Sequence, residues 1–243
     1  MAMLARRRRD FDAVHDNQCL GYGLLGVPVL GLPLLATVHH PVAIDRDLEV
    51  AYATAERRPE KLRWYRFVAM QRRVAGRLDR IITPSRAAKA AIIEHLRVPG
   101  ERVDVVPVGV DHAVFRPDPV VPRVAGRIVS IASADVPIKG LDTLIAAAHR
   151  LHETGQRFEL IVVGRPRADT VAALAGHPGL VSFRTNLSDV ELADLLRSVE
   201  IACVPSRYEG FSMPAGIAGA AGFTWRRCAE ATVAGYLRSV SAC

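Results

Sequence analysis

The residues best placed to do chemistry are a lysine, a glutamate and a pair of histidines, each standing where an apolar run has just ended. His39 and His40 follow LPLLATV, Lys139 follows RIVSIAS and a short loop, and Glu209 follows IACVPS. Lys139-Gly140 opens a helical stretch, and a cation at a helix start opposes the helix dipole. A bound anion resolves that conflict, because the amides and the ammonium then act on it together. The plainer alternative is an exposed lysine that tolerates a small penalty. Glu209-Gly210-Phe211-Ser212 leads into Met213-Pro214, and proline suits the first turn of a helix. Gly210 permits a close backbone approach, the amides after it suit a phosphate, and the Glu209 carboxylate can accept hydrogen bonds from sugar hydroxyls. Here the alternative is a glutamate that only complements the helix dipole. For the histidines it is a polar strand end bonded to nearby backbone.

The elements that would position these residues alternate along the chain. FDAVHDN, LPLLATVHH, RIITPS and RVDVVPVGV read as strands. KLRWYRFVAMQRRVAGRLDR has helical spacing, with Leu62, Tyr65, Val68, Ala69 and Leu78 on one side and arginines on the other. Ser85 caps the helix RAAKAAIIEHL. Pro117, Pro119 and Pro122 then crowd a short span, which predicts an extended linker and a domain boundary near Pro117. The pattern restarts after it. RIVSIAS, FELIVVG, LVSFRTN and IACVPS are strands; KGLDTLIAAAHRLHETG, ADTVAALAGH and DVELADLLRSV, the last capped by Ser188, are helices. Near-continuous apolar strands in a βαβα rhythm predict parallel sheets covered on both faces. The expected architecture is α/β: two Rossmann-like domains, residues 1–117 and 118–222, and a C-terminal tail helix over 223–243. Ligands of such sheets bind beyond the carboxyl ends of the strands, where the lysine, glutamate and histidines fall.

Composition narrows the partners. The chain has 243 residues, half of them hydrophobic, and 23% are charged, which excludes a disordered chain. The formal net charge of +7 favours anionic partners without choosing between phosphates, acidic lipid and nucleic acid. No reader motif accompanies that charge, so nucleic acid is not expected. Cys19, Cys203, Cys228 and Cys243 form no CxxC pair, which argues against a disulfide framework or a zinc site. Cys203, within IACVP, reads as a buried thiol. Residues 19–38 carry no charge and are long enough to span a bilayer, with Arg6 to Arg9 before them. Gly21, Gly23, Gly26, Pro28, Gly31 and Pro33 instead break that stretch into a short helix, a turn and a buried strand. The arginine run reads as a solvated face or frayed end. A cytoplasmic protein is expected, with peripheral contact to the inner face of an anionic membrane as the minority reading.

Taken together, FDAVHDNQCLGYGLL, ATVHHP, RIITPSRAAKAAI, VDVVPVGVDHAVFRP, KGLDTLIAAAHRL, FELIVVGR, LSDVELADLLRSVEIACVPSRYEGFSMPA and FTWRRCAEATVAGYLRS resemble glycosyltransferase family 4. These are retaining nucleotide-sugar enzymes of GT-B fold, and the stretches cover most of the chain in order. The resemblance implies transfer of a sugar from a UDP- or GDP-linked donor to an acceptor that is a lipid, a saccharide or a small metabolite. It implies no bound metal and no other cofactor. Lys139 and Gly140 match the phosphate-binding lysine segment. Glu209 matches the first glutamate of the paired-glutamate motif, which in the family contacts the donor sugar. The resemblance implies that the amides from Gly210 through Phe211 and Ser212 to Met213 face the phosphates. His39 matches the active-site histidine, with His40 the less favoured choice. Catalysis therefore falls to His39, Lys139 and Glu209.

The chain also departs from that pattern. Ser133 stands where the family usually has an arginine, and Ile217 where the second glutamate should hold the ribose. After SMPA the chain runs through GIAGAAG directly into FTWRR, and three glycines in seven residues are poor helix material. The resemblance thus implies a chain shortened at its front and internally deleted near its C-terminus, with both Rossmann-like domains incomplete. Marginal stability or self-association follows, because missing strands leave edges and faces uncovered. The alternative function is a non-catalytic remnant, or a fragment that binds an anionic membrane or another partner.

Overall fold

The computed structural model of the chain describes residues 2–134, 136–219 and 223–241, with the side chains of residues 133, 134, 218 and 219 outside the description. It divides into two compact units: 1–109 with 209–211 and 223–243, and 110–208 with 212–222. The chain thus visits the first unit three times.

The first unit begins with α1 (Ala2–Arg6), β1 (Val14–Asn17) and β2 (Leu34–Thr37). The arginine run is neither frayed nor wholly solvated: Arg8 donates to the carbonyls of Leu30 and Gly31, each at 3.0 Å. Between the strands the glycines and prolines fold into 3-10 turns at Tyr22–Gly26 and Pro28–Leu30. Three helices follow, α2 (Ala43–Tyr52), α3 (Arg58–Trp64) and α4 (Phe67–Ala75), and then β3 (Arg80–Thr83), α5 (Arg86–Leu96) and β4 (Val103–Val105). The strands are parallel in the order β1-β2-β3-β4, with Val14 opposite Leu34, Leu35 opposite Arg80 and Ile81 opposite Val103. The run LLA of β2 is completely buried, as a central parallel strand requires. Leu20, Leu34, Ala36, Val74, Leu78, Ile81, Ile92 and Val103 form the main core.

One long helix was expected over residues 61–80, and two shorter ones occur. The break at Tyr65–Arg66 changes the helical phase. Tyr65 and Val68 stay buried, Leu62 and Ala69 turn outward, and Gln71, Val74 and Ala75 face the core. A single 3.6-residue periodicity drawn through a break puts one turn on the wrong side.

The second unit contains β5 (Arg127–Ala134), α6 (Leu141–Glu153), β6 (Glu159–Arg165), α7 (Ala168–Leu174), β7 (Val181–Arg184), α8 (Asp189–Ser198), β8 (Ile201–Cys203) and α9 (Met213–Gly219). Its sheet is also parallel, in the order β7-β6-β5-β8. Alternate residues serve opposite faces. Leu160 and Val162 join Ala132, Leu141, Ile145 and Ala148 on one side, while Ile161 joins Val129, Leu195 and Val199 on the other. At the edge, β8 is less covered than its apolar sequence suggests: Ile201 is exposed and Cys203 half-buried. Residues 106–126 form no helix or strand, and Arg197 of α8 straps them down by donating to the carbonyls of Val114 (2.8 Å) and Arg116 (3.1 Å).

The glycines of GIAGAAG do not stop a helix where expected. α9 runs through Gly216 to Gly219, because Pro214 fits its first turn and Ser212 starts it, its Oγ accepting from the Ala215 amide at 3.3 Å. Ala220, Ala221 and Gly222 lie outside the described residues, as does Cys243. The tail forms α10 (Trp225–Val240), capped by Thr224 and seated on the first unit. Tyr236 Oη lies 2.6 Å from His15 Nδ1, and Arg238 lies 3.0 Å from Asp104 Oδ2.

Candidate functional site

The carboxyl end of β2 delivers His39 just past the sheet, beside the end of β1. Its backbone N–H donates to Gln18 Oε1 at 2.6 Å, and its Nε2 lies 3.1 Å from Asn17 Oδ1. Partial burial holds its pKa below the ordinary histidine value, and neighbouring His40 lowers it further. A neutral imidazole on a hydrogen-bonded strand end is able to accept a proton or a hydrogen bond. His40 is turned to a structural task, its Nε2 lying 2.6 Å from Asp45 Oδ2 at the start of α2.

Gly210, from the C-terminal half, meets this strand end. A β-carbon at position 210 would overlap the His39 carbonyl oxygen and approach His40 Cβ to 3.1 Å. Only glycine fits, so the 209–211 segment is seated on the His39-His40 backbone within the first unit. Phe211 anchors it with an edge-on contact to Phe223, centroids 5.1 Å apart. Glu209 therefore arrives beside the histidine strand end, although 169 positions separate it from His40 in the sequence.

In the second unit, Lys139 closes a 3-10 turn, Pro137–Lys139, and α6 starts after Gly140. The lysine thus precedes the helix instead of lying in its first turn. Gly140 has φ 64°, and a β-carbon there would overlap the Pro205 carbonyl oxygen. That contact brings the lysine turn against the loop after β8. Arg207 fastens the two together. Its backbone N–H donates to Ile138 O at 2.8 Å, and its guanidinium grips Asp142 through two bonds of 2.8 and 3.1 Å. It also donates to Thr143 Oγ1 at 3.2 Å and to the Pro137 carbonyl. The guanidinium holds the Asp142 carboxyl below its usual range.

The structure therefore groups His39 with Glu209, Gly210 and Phe211, and groups Lys139 and Gly140 with the 205–207 loop; Ser212 and Met213 belong to the second unit. The Ser133 side chain lies outside the described residues, and Ile217 sits half-buried in α9. Among the described residues no three His, Cys, Asp or Glu side chains gather as a metal set would. Sequence reasoning passed over Arg207, although it stands inside PSRYEGF. It also passed over His15, which bridges Tyr236 and Thr37 Oγ1, the latter at 2.8 Å.

Comparison with known proteins supplies the deciding observation. The Glycosyltransferase Family 4 model matches residues 1–114, and the model for glycosyl transferases group 1 matches residues 125–224. A relative from Mycolicibacterium hassiacum, MMP alpha-(1->4)-mannosyltransferase, is 48% identical over 223 residues, covering 90% of this chain and 54% of its own length. The chain belongs to glycosyltransferase family 4. A D-inositol 3-phosphate glycosyltransferase from Stackebrandtia nassauensis is 28% identical, covering 87% of this family 4 chain and 51% of the relative. The chain thus spans about half the length of the curated relatives it matches. Among solved structures, sucrose-phosphate synthase from Thermosynechococcus elongatus superposes with TM-score 0.64 at 21% identity, over 89% of this chain and 56% of that one. The Anabaena protein Alr3699/HepE, solved in complex with UDP, gives 0.63 at 19% identity, over 89% and 59%. These likenesses establish for this family 4 member the GT-B-like pairing of parallel sheets with helices.

Proposed function

We propose that the chain carries the donor-handling groups of a retaining glycosyltransferase, moving a sugar from a UDP- or GDP-linked donor to an acceptor. The observation that carries this reading is the seating of Gly210 on His39, which sets Glu209 beside the histidine strand end. Cleavage of the bond between sugar and diphosphate builds negative charge on the leaving group, so preorganised positive groups accelerate it. Lys139 takes that role, on a turn held by Gly140 and Arg207. Glu209 accepts from the donor's hydroxyls, the amides of Gly210 to Met213 approach the phosphates, and His39, kept neutral, stands near the reacting carbon.

The acceptor is a hydroxyl compound. The mannosyltransferase relative, at 48% identity, supports a saccharide acceptor and a hexosyl donor. The free thiols of Cys19, Cys203 and Cys228 suit a reducing, cytoplasmic setting. No helix among the described residues is long and apolar enough to cross a membrane, and any membrane contact of this reading is peripheral. The test is donor hydrolysis and transfer by the purified chain, with GDP-mannose and UDP-glucose as donors and oligomannosides as acceptors. Turnover lost in Glu209→Gln supports the assignment. Turnover unchanged in that variant contradicts it.

A further inference from the structure

The first unit contains a cavity of about 800 Å³ that none of the residues assigned above lines. That volume lies in the range of small-molecule sites. Four arginines line it, Arg46, Arg72, Arg73 and Arg97, with His95 beside them and a single acidic residue, Glu94, to oppose them. The buried side chains of Val68 and Leu96 supply apolar floor. The arginines come from different elements: Arg46 from α2, Arg72 and Arg73 from the last turn of α4, and Arg97 from the position that closes α5.

Arg46 is paired with Asp47 at 2.7 Å. Arg72, Arg73 and Arg97 make no ion pair or side-chain hydrogen bond with any described residue. Helix dipoles favour cations at helix ends. They do not call for three unpaired arginines, from the ends of two different helices, to line one cavity. Arg97 adds a backbone observation. Its φ is 55°, the left-handed region that glycine ordinarily fills at a helix end. An arginine stands there, in the cavity lining, in place of the easier residue. Every lysine is absent from the lining, and the planar guanidinium is the cation suited to two-pronged binding of phosphate.

We propose that this cavity is a second anion site, in which Arg72, Arg73 and Arg97 bind the phosphate group of a small phosphorylated ligand. The ligand is a soluble phosphate ester or the phosphorylated headgroup of a lipid; the recognised chemistry is the same. The site is independent of the donor-binding role given to Lys139.

Calorimetric titration of the full chain with inorganic pyrophosphate tests it, using Arg97→Gly, the double variant Arg72→Gln/Arg73→Gln, and Lys139→Ala. Arg97→Gly relieves the left-handed backbone, so its thermal midpoint should match or exceed that of the parent, which separates loss of binding from loss of fold. The expected result is saturable binding that weakens about tenfold or more in both arginine variants, as charged hydrogen bonds would dictate, and persists in Lys139→Ala. Binding that survives in the arginine variants but disappears in Lys139→Ala would place the anion at the donor site and overturn the proposal. So would the absence of saturable binding to the parent chain. Sedimentation with phosphatidylglycerol vesicles, against phosphatidylcholine controls, identifies the source. Co-sedimentation blocked by pyrophosphate and lost in Arg97→Gly supports the site with a lipid headgroup in it. Pyrophosphate binding without co-sedimentation supports the site with a soluble ligand. Co-sedimentation indifferent to both pyrophosphate and the arginine variants, with no pyrophosphate binding, contradicts it.

Discussion

The Cα of Gly210 lies so close to the carbonyl oxygen of His39 that no side chain fits between them. That contact seats the 209–211 segment on the end of β2. Gly210→Ala must push the segment away or move the strand end, and overpacking against rigid backbone costs about 1–3 kcal/mol. Urea denaturation should show a loss of that size. Donor binding should weaken with it, because Glu209 moves with its neighbour.

Gly140 and Arg97 predict effects of opposite sign. Both adopt positive φ, 64° and 55°. Gly140→Ala adds left-handed strain of about 1–2 kcal/mol and a collision with the Pro205 carbonyl, so it should destabilise clearly. Arg97→Gly removes strain of the same kind and loosens the unfolded chain by about 0.5–1 kcal/mol, for a net change between zero and a small gain. Paired thermal melts check the sign of each.

The Arg207–Asp142 clamp predicts an acid-side signature. Interaction with Arg207 lowers the folded-state pKa of Asp142 below its ordinary value of 3.8. The stabilisation is therefore complete above that value and is lost as pH falls through the lower, folded-state pKa. Asp142 is more than half exposed, and solvent screening limits the effect to about 1 kcal/mol or less. Arg207→Ala should remove this acid-side component and loosen the turn that carries Lys139. Stability measured from pH 2 to 7 in both chains tests this.

His39 should be neutral at pH 7. Burial and then His40 hold its pKa below 6.5 in the folded chain. The folded state thus binds fewer protons than the unfolded one just below pH 6.5, and any stability from this source is present above that pH and declines as pH falls through the folded-state pKa. A histidine NMR titration should show the His39 ring shifting below 6.5, and a midpoint above 6.5 contradicts the environment described.

Much of the fold was legible because its causes are local. Ser85 and Ser188 announce helices by their own hydroxyls, which accept from Ala88 and Glu191 amides three residues on. Apolar runs such as LLA of β2 and LIV of β6, set in a βαβα rhythm, read as strands buried on both faces, and both runs are buried. The break at Tyr65 was hidden, since Leu62 and Ala69 continue a helical spacing that the backbone abandons. What sequence could not offer was long-range grouping. Arg207 and Asp142 stand 65 positions apart, and His15 and Tyr236 stand 221 apart. The motif PSRYEGF drew attention to Glu209 by its chemistry. That its glycine would be packed on His39 depends on a chain that returns to its first unit, which no local signal carries.

The central claim is that Lys139 serves a donor diphosphate. Calorimetric titration of the purified chain with UDP-glucose, GDP-mannose and the free diphosphates, beside Lys139→Ala, tests it most directly. The account predicts saturable binding of at least one nucleotide, weakened about tenfold or more in the variant by loss of a charged hydrogen bond. Absence of binding by every nucleotide, or binding that Lys139→Ala leaves unchanged, would contradict it.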